Sequence, residues 1–252
     1  MGGDMTILSA ILLFVAGLLS GAINAVAGGG TFLTFGAMTL FGVPPIAANA
    51  TSSIVQFPGY ITSALAYRKE IAREWRPILI LSAISLVGSL GGALLLLSLD
   101  NPSFRRLVPW LLIAATALFA AGPKLRPKVE KEHPPNSPTG IVTQFIVSIY
   151  GGFFGAGMGI MMLASLGLAT GGDYHRLNAI KNFLSIVIAA VAIVVFTAGG
   201  AISWLHGIIM LPGAAIGGYY GVWLAKRVPQ AFLRYAVIAV GLFLAGYYFF
   251  KA

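Results

Sequence analysis

Cysteine is absent from all 252 residues. That excludes disulfides and thiolate metal sites and leaves the redox compartment open. Charge is scarce too: 9% of residues are Asp, Glu, Lys or Arg, where a soluble domain carries about a quarter. The shortage is sharpest for acids. The seven are Asp4, Glu70, Glu74, Asp100, Glu130, Glu132 and Asp173, and all sit in or beside expected loops. With no carboxylate in mid-span, an intramembrane proton relay lacks its usual acid, and a cation substrate lacks its usual partner. No HExxH or other catalytic constellation is present, which argues against an enzyme. No cofactor and no metal are expected. His175 lies in a loop and His206 near a helix start, and isolated histidines there serve structure more often than proton coupling.

What the chain has in abundance is apolar surface. Hydrophobic residues make up 58% of it and the mean hydropathy is +0.90, so it reads as a polytopic membrane protein. The 32 glycines imply close helix contacts and broken helices. A net charge of +9 is no nucleic-acid footprint, because the basic residues sit in short loops between apolar spans, where they report orientation. The run Met5–Ala27 is too long for a signal-peptide core and is read as a retained span.

The chain is also written twice. Displaced by 129 residues without a gap, Ala27-Gly28 falls on Ala156-Gly157, Gly30 on Gly159, Asn49-Ala50 on Asn178-Ala179, Trp75 on Trp204, and Gly88 on Gly217. A duplicated half in an apolar chain is the signature of a secondary transporter whose halves enclose one substrate site. Five apolar segments are expected in each half, at roughly 5–27, 31–43, 50–67, 77–98 and 107–122, then 139–156, 158–170, 182–198, 204–224 and 231–250. The second segment of each half is too short for a full crossing, which needs about 20 residues, and follows a glycine cluster. Segments one and two of each half are read as a broken or re-entrant pair, with full crossing or re-entry of 31–43 and 158–170 left open. The expected domains are a first transmembrane repeat at 1–122, a cytoplasmic linker at 123–138 and a second repeat at 139–252. The linker is rich in Pro and charge.

Loop charge sets the orientation. With Arg68, Lys69, Arg73 and Arg76 inside and five crossings per half, only Arg105, Arg106 and Lys251 of the 16 basic residues fall outside. The uncharged loop Thr197–Ser203, which matches the basic stretch Arg68–Arg76, also lands outside. An odd number of crossings makes the halves insert in opposite directions. The fold class is therefore an all-α polytopic membrane protein of two inverted-topology repeats, each of about five transmembrane or re-entrant helices. It is placed in a bacterial inner membrane.

Three features carry the candidate chemistry. The glycine clusters bring Asn24, Gly28, Gly29, Gly30 and Thr31 in the first half, and Gly157 and Gly159 in the second. A helix restarting after such a break offers free N–H groups and a positive dipole end to an anion. The alternative is close helix packing alone. The second feature is the pair of polar stretches opening the third segment of each half: Asn49, Thr51, Ser52 and Ser53 with Gln56, against Asn178, Lys181 and Asn182. Asn49 and Asn178 are expected to line a site, or to act as plain N-caps. Lys181 is the third. It takes the place of Ser52 and holds an anion, or else snorkels from a cytoplasmic helix end. Gln56–Gly59 and Pro212–Gly213 are expected to interrupt their segments.

The run GAINAVAGGGTFLTFGAMTLFGVPPIAANATSS, with Gly28–Gly30, then Gly42-Val43-Pro44 and an Ala-x-x-Thr-Ser, resembles the signature of the TauE/SafE family of sulfite and organosulfur exporters. The stretch GAGMGIMMLASLGL with RLNAIKN resembles that family's degenerate second copy, departing from it where Met158 interrupts the glycines and Asn-Ala-Ile-Lys-Asn replaces Ala-x-x-Thr-Ser. The resemblance covers essentially the whole chain. It implies export of small sulfur oxyanions or organosulfonates, with uptake of related anions as a variant. The expected partners are a small anionic substrate, the lipid bilayer and a coupling ion whose identity the sequence does not carry. A homodimer is compatible with the glycine-rich faces, and no nucleic acid is expected. A passive anion channel or a non-transporting scaffold is the rival reading.

Overall fold

The computed structural model describes residues 6–27, 29–121, 135–170, 174–225 and 230–251. Among them no strand occurs. The helices are α1 (Ile7–Ala27), α2 (Thr31–Leu40), α3 (Pro45–Ala66), α4 (Arg68–Arg73), α5 (Trp75–Leu97), α6 (Asn101–Ala121), α7 (Pro138–Phe153), α8 (Met158–Thr170), α9 (Tyr174–Ala198), α10 (Trp204–Ala225) and α11 (Gln230–Lys251). The sequence offset reappears in the element order. The starts of α3 and α9 (45 and 174), α5 and α10 (75 and 204), and α6 and α11 (101 and 230) differ by 129 in each case. The short helix α4 has no counterpart among the described residues; it occupies the basic stretch expected to be a loop. The expected linker falls mostly outside the described residues, and its last residue, Pro138, is the first of α7.

Two expectations about helix ends do not hold. Helix α3 opens at Pro45 with Pro at its first position, where the ring supplies the helical φ and the missing N–H is no loss. Helix α9 opens at Tyr174. Asn49 and Asn178 therefore lie in the second turn and neither caps its helix. The sequence pattern marked these helices too late because the first turn of α9 is polar and α3 starts within the Pro44-Pro45 pair, which reads as a loop. Nor does Pro58 or Pro212 interrupt anything: α3 and α10 run through them. A backbone in lipid has no water to bond if it unwinds, so a helix resumes directly after an internal proline.

Glycine sets how the helices meet. Along α1 and α10, Gly17 lies against Met210, Gly21 against the Ala214 carbonyl, Leu18 against Gly217, and Ala22 against Gly221. A Cβ at Gly21 or Gly217 would strike backbone carbonyl oxygen, so the two main chains touch. The contact points advance together, which makes α1 and α10 parallel. Their counterparts α7 and α5 do the same. Gly88 meets Phe145 and Ser148, Gly92 meets Ile149, and Gln144 Nε2 donates to Ser85 Oγ at 2.8 Å.

The remaining directions follow from end contacts. Thr51 near the start of α3 meets the start of α10, where Ser203 N donates to its Oγ1 at 2.9 Å, and Gly59 packs on Gly218; α3 and α10 are parallel. Tyr67, just past the end of α3, stands 6.2 Å from the His175 ring at the start of α9, so α3 and α9 are antiparallel. Arg176 bonds Glu74 at 2.7 Å and Gly199 abuts Leu97, which makes α5 and α9 parallel. Ile46 N donates to Asn101 Oδ1 at 3.1 Å, joining the starts of α3 and α6. Trp110 meets Phe249 at 5.3 Å and Thr116 meets Gly241, so α11 opposes α6. In sum, α1, α3, α6 and α10 point one way, and α5, α7, α9 and α11 the other.

Outward faces are apolar. Ile11, Val15 and Leu19 on α1 and Leu86, Leu90 and Leu94 on α5 are exposed, a pattern that matches lipid rather than water. Among the described residues, Ile7–Ala25, Trp75–Leu97 and His175–Ala198 are each long and apolar enough to cross a membrane by length and composition.

Candidate functional site

Helices α3 and α9 pack against one another antiparallel, and each carries a polar stripe. On α3 it is Asn49, Ser52, Ser53 and Gln56; on α9, at the same offset, Asn178, Lys181, Asn182 and Ser185. Spacings of three and four put each set on one helix face. The two stripes have opposite fates.

The stripe on α3 is satisfied from within. Asn49 Nδ2 donates to the Phe153 carbonyl at 2.9 Å, closing the free end of α7. Ser52 Oγ donates to Ala48 O at 2.8 Å. Gln56 Nε2 donates to Ser20 Oγ, Asn24 Nδ2 donates to Gln56 Oε1 at 3.1 Å, and Ser20 Oγ donates to Gly30 O. This chain of bonds ties the first glycine break back onto α1. Gly30 must be glycine here, because a Cβ would strike the Ser20 carbonyl. Tyr60 closes the cluster against Asn24 and Thr31.

The stripe on α9 is not satisfied. Lys181 and Asn182 are 1% exposed and Ser185 is 0% exposed. Lys181 Nζ, both amide atoms of Asn182 and Ser185 Oγ have no hydrogen-bond partner. The cause can be read at the offset: the positions matching Ser20 and Asn24 are Ile149 and Phe153, which have no side-chain polar group to offer. Each unpaired buried polar group costs about 1–3 kcal/mol and a charge costs more. Such a cluster marks a place where something else completes the bonding. Full burial also removes the snorkelling reading of Lys181, whose nitrogen does not reach the surface. The Glu74 carboxylate is committed to Arg176.

The two glycine breaks lie close to one another. Gly155 and Gly157 adopt φ of 70° and 80°, a left-handed backbone that favours glycine. A Cβ at Gly157 would sit 2.9 Å from Ala115 Cβ and 3.9 Å from the Phe32 ring. The second break thus meets the helix that follows the first. Phe35 and Phe154 continue that contact at 5.6 Å between ring centroids.

The other expected site residues are dispersed. Thr51 is committed to Ser203, Ser53 is half-buried on α3, and Gly29 and Gly159 are buried beside the two breaks. Gly28 lies outside the described residues. Asn178 is buried on the α9 stripe.

The family model described as "Sulfite exporter TauE/SafE" matches residues 13–248. The chain belongs to the TauE/SafE family. Curated relatives agree in length and kind. A "Probable membrane transporter protein" of Haemophilus influenzae is 26% identical over 233 residues, covering 92% of this chain and 91% of the relative. The "Probable membrane transporter protein YfcA" of Escherichia coli is 28% identical over 236 residues, covering 93% and 87%. YunE of Bacillus subtilis, also a "Probable membrane transporter protein", is 24% identical, covering 93% and 96%. This TauE/SafE protein is therefore an integral, multi-pass membrane protein of a transporter family.

Within it, sequence reasoning named Lys181 and Asn182 but missed three residues. Ser185 falls one turn beyond Lys181 and matches Gln56 at the offset, a signal that was available. Ser20 and Tyr60 match Ile149 and Ala189, so the repeat itself gave no hint of them.

Proposed function

We propose that this protein is a secondary transporter that exports small sulfur-containing anions, such as sulfite or organosulfonates, by alternating access between two inverted repeats. The observation that carries the reading is the buried, unpaired trio of Lys181, Asn182 and Ser185 on α9, in a chain of a sulfite-exporter family. An ammonium, an amide and a hydroxyl form a donor set suited to the oxygens of a sulfur oxyanion without any metal. The inverted arrangement is supported by the helix directions. Each of α1, α3, α5 and α6 points opposite to its counterpart at the offset, namely α7, α9, α10 and α11. Rocking one repeat against the other would then expose α9 to either side in turn. We place the protein in the inner membrane, with the linker 123–138 cytoplasmic, by the bias of basic residues.

Flux of sulfite and methanesulfonate into proteoliposomes holding the purified protein tests the reading. Saturable flux is expected, reduced at least about tenfold in Lys181→Ala while the variant elutes as the wild type does. Flux that rises without saturation would mark a channel. No flux of either anion would sink the sulfur-anion reading.

A further inference from the structure

The α9 trio also constrains the charge and the protonation of what it holds. We infer that the site selects a singly charged sulfur oxyanion that keeps a hydrogen-bond donor of its own, hydrogensulfite rather than sulfite dianion. This inference rests on the transport reading above and names the substrate form.

The first constraint is a charge count. Lys181 is the one buried cation without a carboxylate partner among the described residues, since Arg176 is bonded to Glu74. One negative charge neutralises it. A dianion would leave a full unpaired charge buried, which is unfavourable by the same physics that makes the empty site costly. No second cation stands on α9 near the trio: its stripe is otherwise Asn178, Asn182 and Ser185.

The second constraint is the kind of partner each atom demands. Lys181 Nζ and Ser185 Oγ donate to ligand oxygens. Asn182 differs, because its amide nitrogen and its amide oxygen are both unpaired. The oxygen accepts only from an X–H group. Sulfite dianion and sulfate carry acceptors alone and would face that oxygen with like partial charge. Hydrogensulfite brings one proton and one negative charge, so it completes both Lys181 and Asn182.

The titratable and charged groups on elements packed against α9 are Tyr60 on α3, Tyr150 on α7, Arg68, Lys69, Glu70 and Arg73 on α4, and Glu74 (just before α5) with Arg76 on it. On α9 itself there are His175 and Arg176. The one imidazole of this set, His175, is exposed at the start of α9. A ligand that does not titrate separates the protein's own pH response from that of the ligand.

The test is calorimetric titration of the purified full-length protein with sodium sulfite, methanesulfonate and sulfate, in mildly acidic and mildly alkaline buffer. Methanesulfonate stays a monoanion throughout, and sulfate stays a dianion. Affinity for total sulfite is expected to fall about tenfold toward alkaline pH, tracking the hydrogensulfite fraction. Methanesulfonate is expected to change less than about twofold in affinity between the two buffers but, with no proton to offer the Asn182 oxygen, to bind at least about threefold more weakly than sulfite does in the acidic buffer; sulfate is expected to bind at least about tenfold more weakly than methanesulfonate. Sulfite affinity that holds or rises with pH, methanesulfonate that weakens in parallel with sulfite or binds as tightly as sulfite does in the acidic buffer, or sulfate that binds as well as methanesulfonate would each overturn the inference while leaving an anion site in place. Absence of binding by all three would remove the sulfur-anion reading itself, and this inference with it.

Discussion

Replacing Lys181 by methionine should make the empty protein more stable while removing its response to substrate. In the wild type an ammonium sits in α9 with no counter-ion and no acceptor. Methionine fills nearly the same volume without charge. Substituting hydrophobic residues for buried ionic groups yields about 1–4 kcal/mol where the packing is kept. At roughly 2–4 °C per kcal/mol for a chain of this size, the apparent Tm should rise by several degrees. The bound state should behave in the opposite way. Anion at about a hundred times its Kd stabilises the wild type by about 2.7 kcal/mol through mass action, and Lys181→Met should show none of that gain. The assay is thermal unfolding in detergent at one fixed scan rate, since membrane proteins often unfold irreversibly, with and without sulfite. A variant that melts lower than the wild type without anion would assign Lys181 a structural contact. A variant that keeps the full sulfite shift would remove it from the site. Either result refutes the reasoning.

Neighbouring glycines should respond in opposite ways. Gly92→Ala strikes the Ile149 carbonyl in the α5–α7 seam, whereas a Cβ at Gly91 meets nothing within 4 Å. The first should lose about 1–3 kcal/mol and the second should leave Tm unchanged or raise it, by the same melting assay. Gln56→Leu leaves the Ser20 and Asn24 side chains without their shared partner and should cost about 1–3 kcal/mol; an unchanged melt would show that water replaces the glutamine. Because the chain has no cysteine, single cysteines report topology cleanly. Lys69→Cys in the α3–α5 link and Ser203→Cys in the α9–α10 link should react with an impermeant thiol reagent from opposite sides of the membrane, and labelling from one side would refute opposed repeats.

Most of the architecture was readable because lipid enforces simple rules. Apolar length, loop charge and the 129-residue offset located every long helix, and Trp75 and Trp204 head matching helices as the register requires. What the sequence hid was local. The first turn of α9 is polar and that of α3 follows directly on the Pro44-Pro45 pair, so both starts were placed late and Asn49 and Asn178 stayed open to a capping reading. The candidate site was half readable. Lys181 stood out as a lone charge in an apolar run, yet its burial depends on α9 beginning at Tyr174, a full two turns earlier than the apolar stretch suggests. Pairing was beyond the sequence altogether. That Gln56 is bonded while Ser185 is not depends on which residues of α1 and α7 face them, and only the packing reveals that contrast.

The glycine seam between α1 and α10 has a consequence for biogenesis. Helix α1 takes as its principal backbone contact α10, which is synthesised much later along the chain. Until α10 is synthesised, Gly17 and Gly21 expose a groove of main chain to the bilayer that no helix of the first half fills in the same way. The two halves therefore cannot mature in turn as independent units, as multidomain chains commonly do during synthesis. Each is left open until the other arrives. A nascent chain halted after α6 should stay loosely packed and vulnerable to membrane quality control, and an insertase or chaperone that shelters α1 would matter most during that interval.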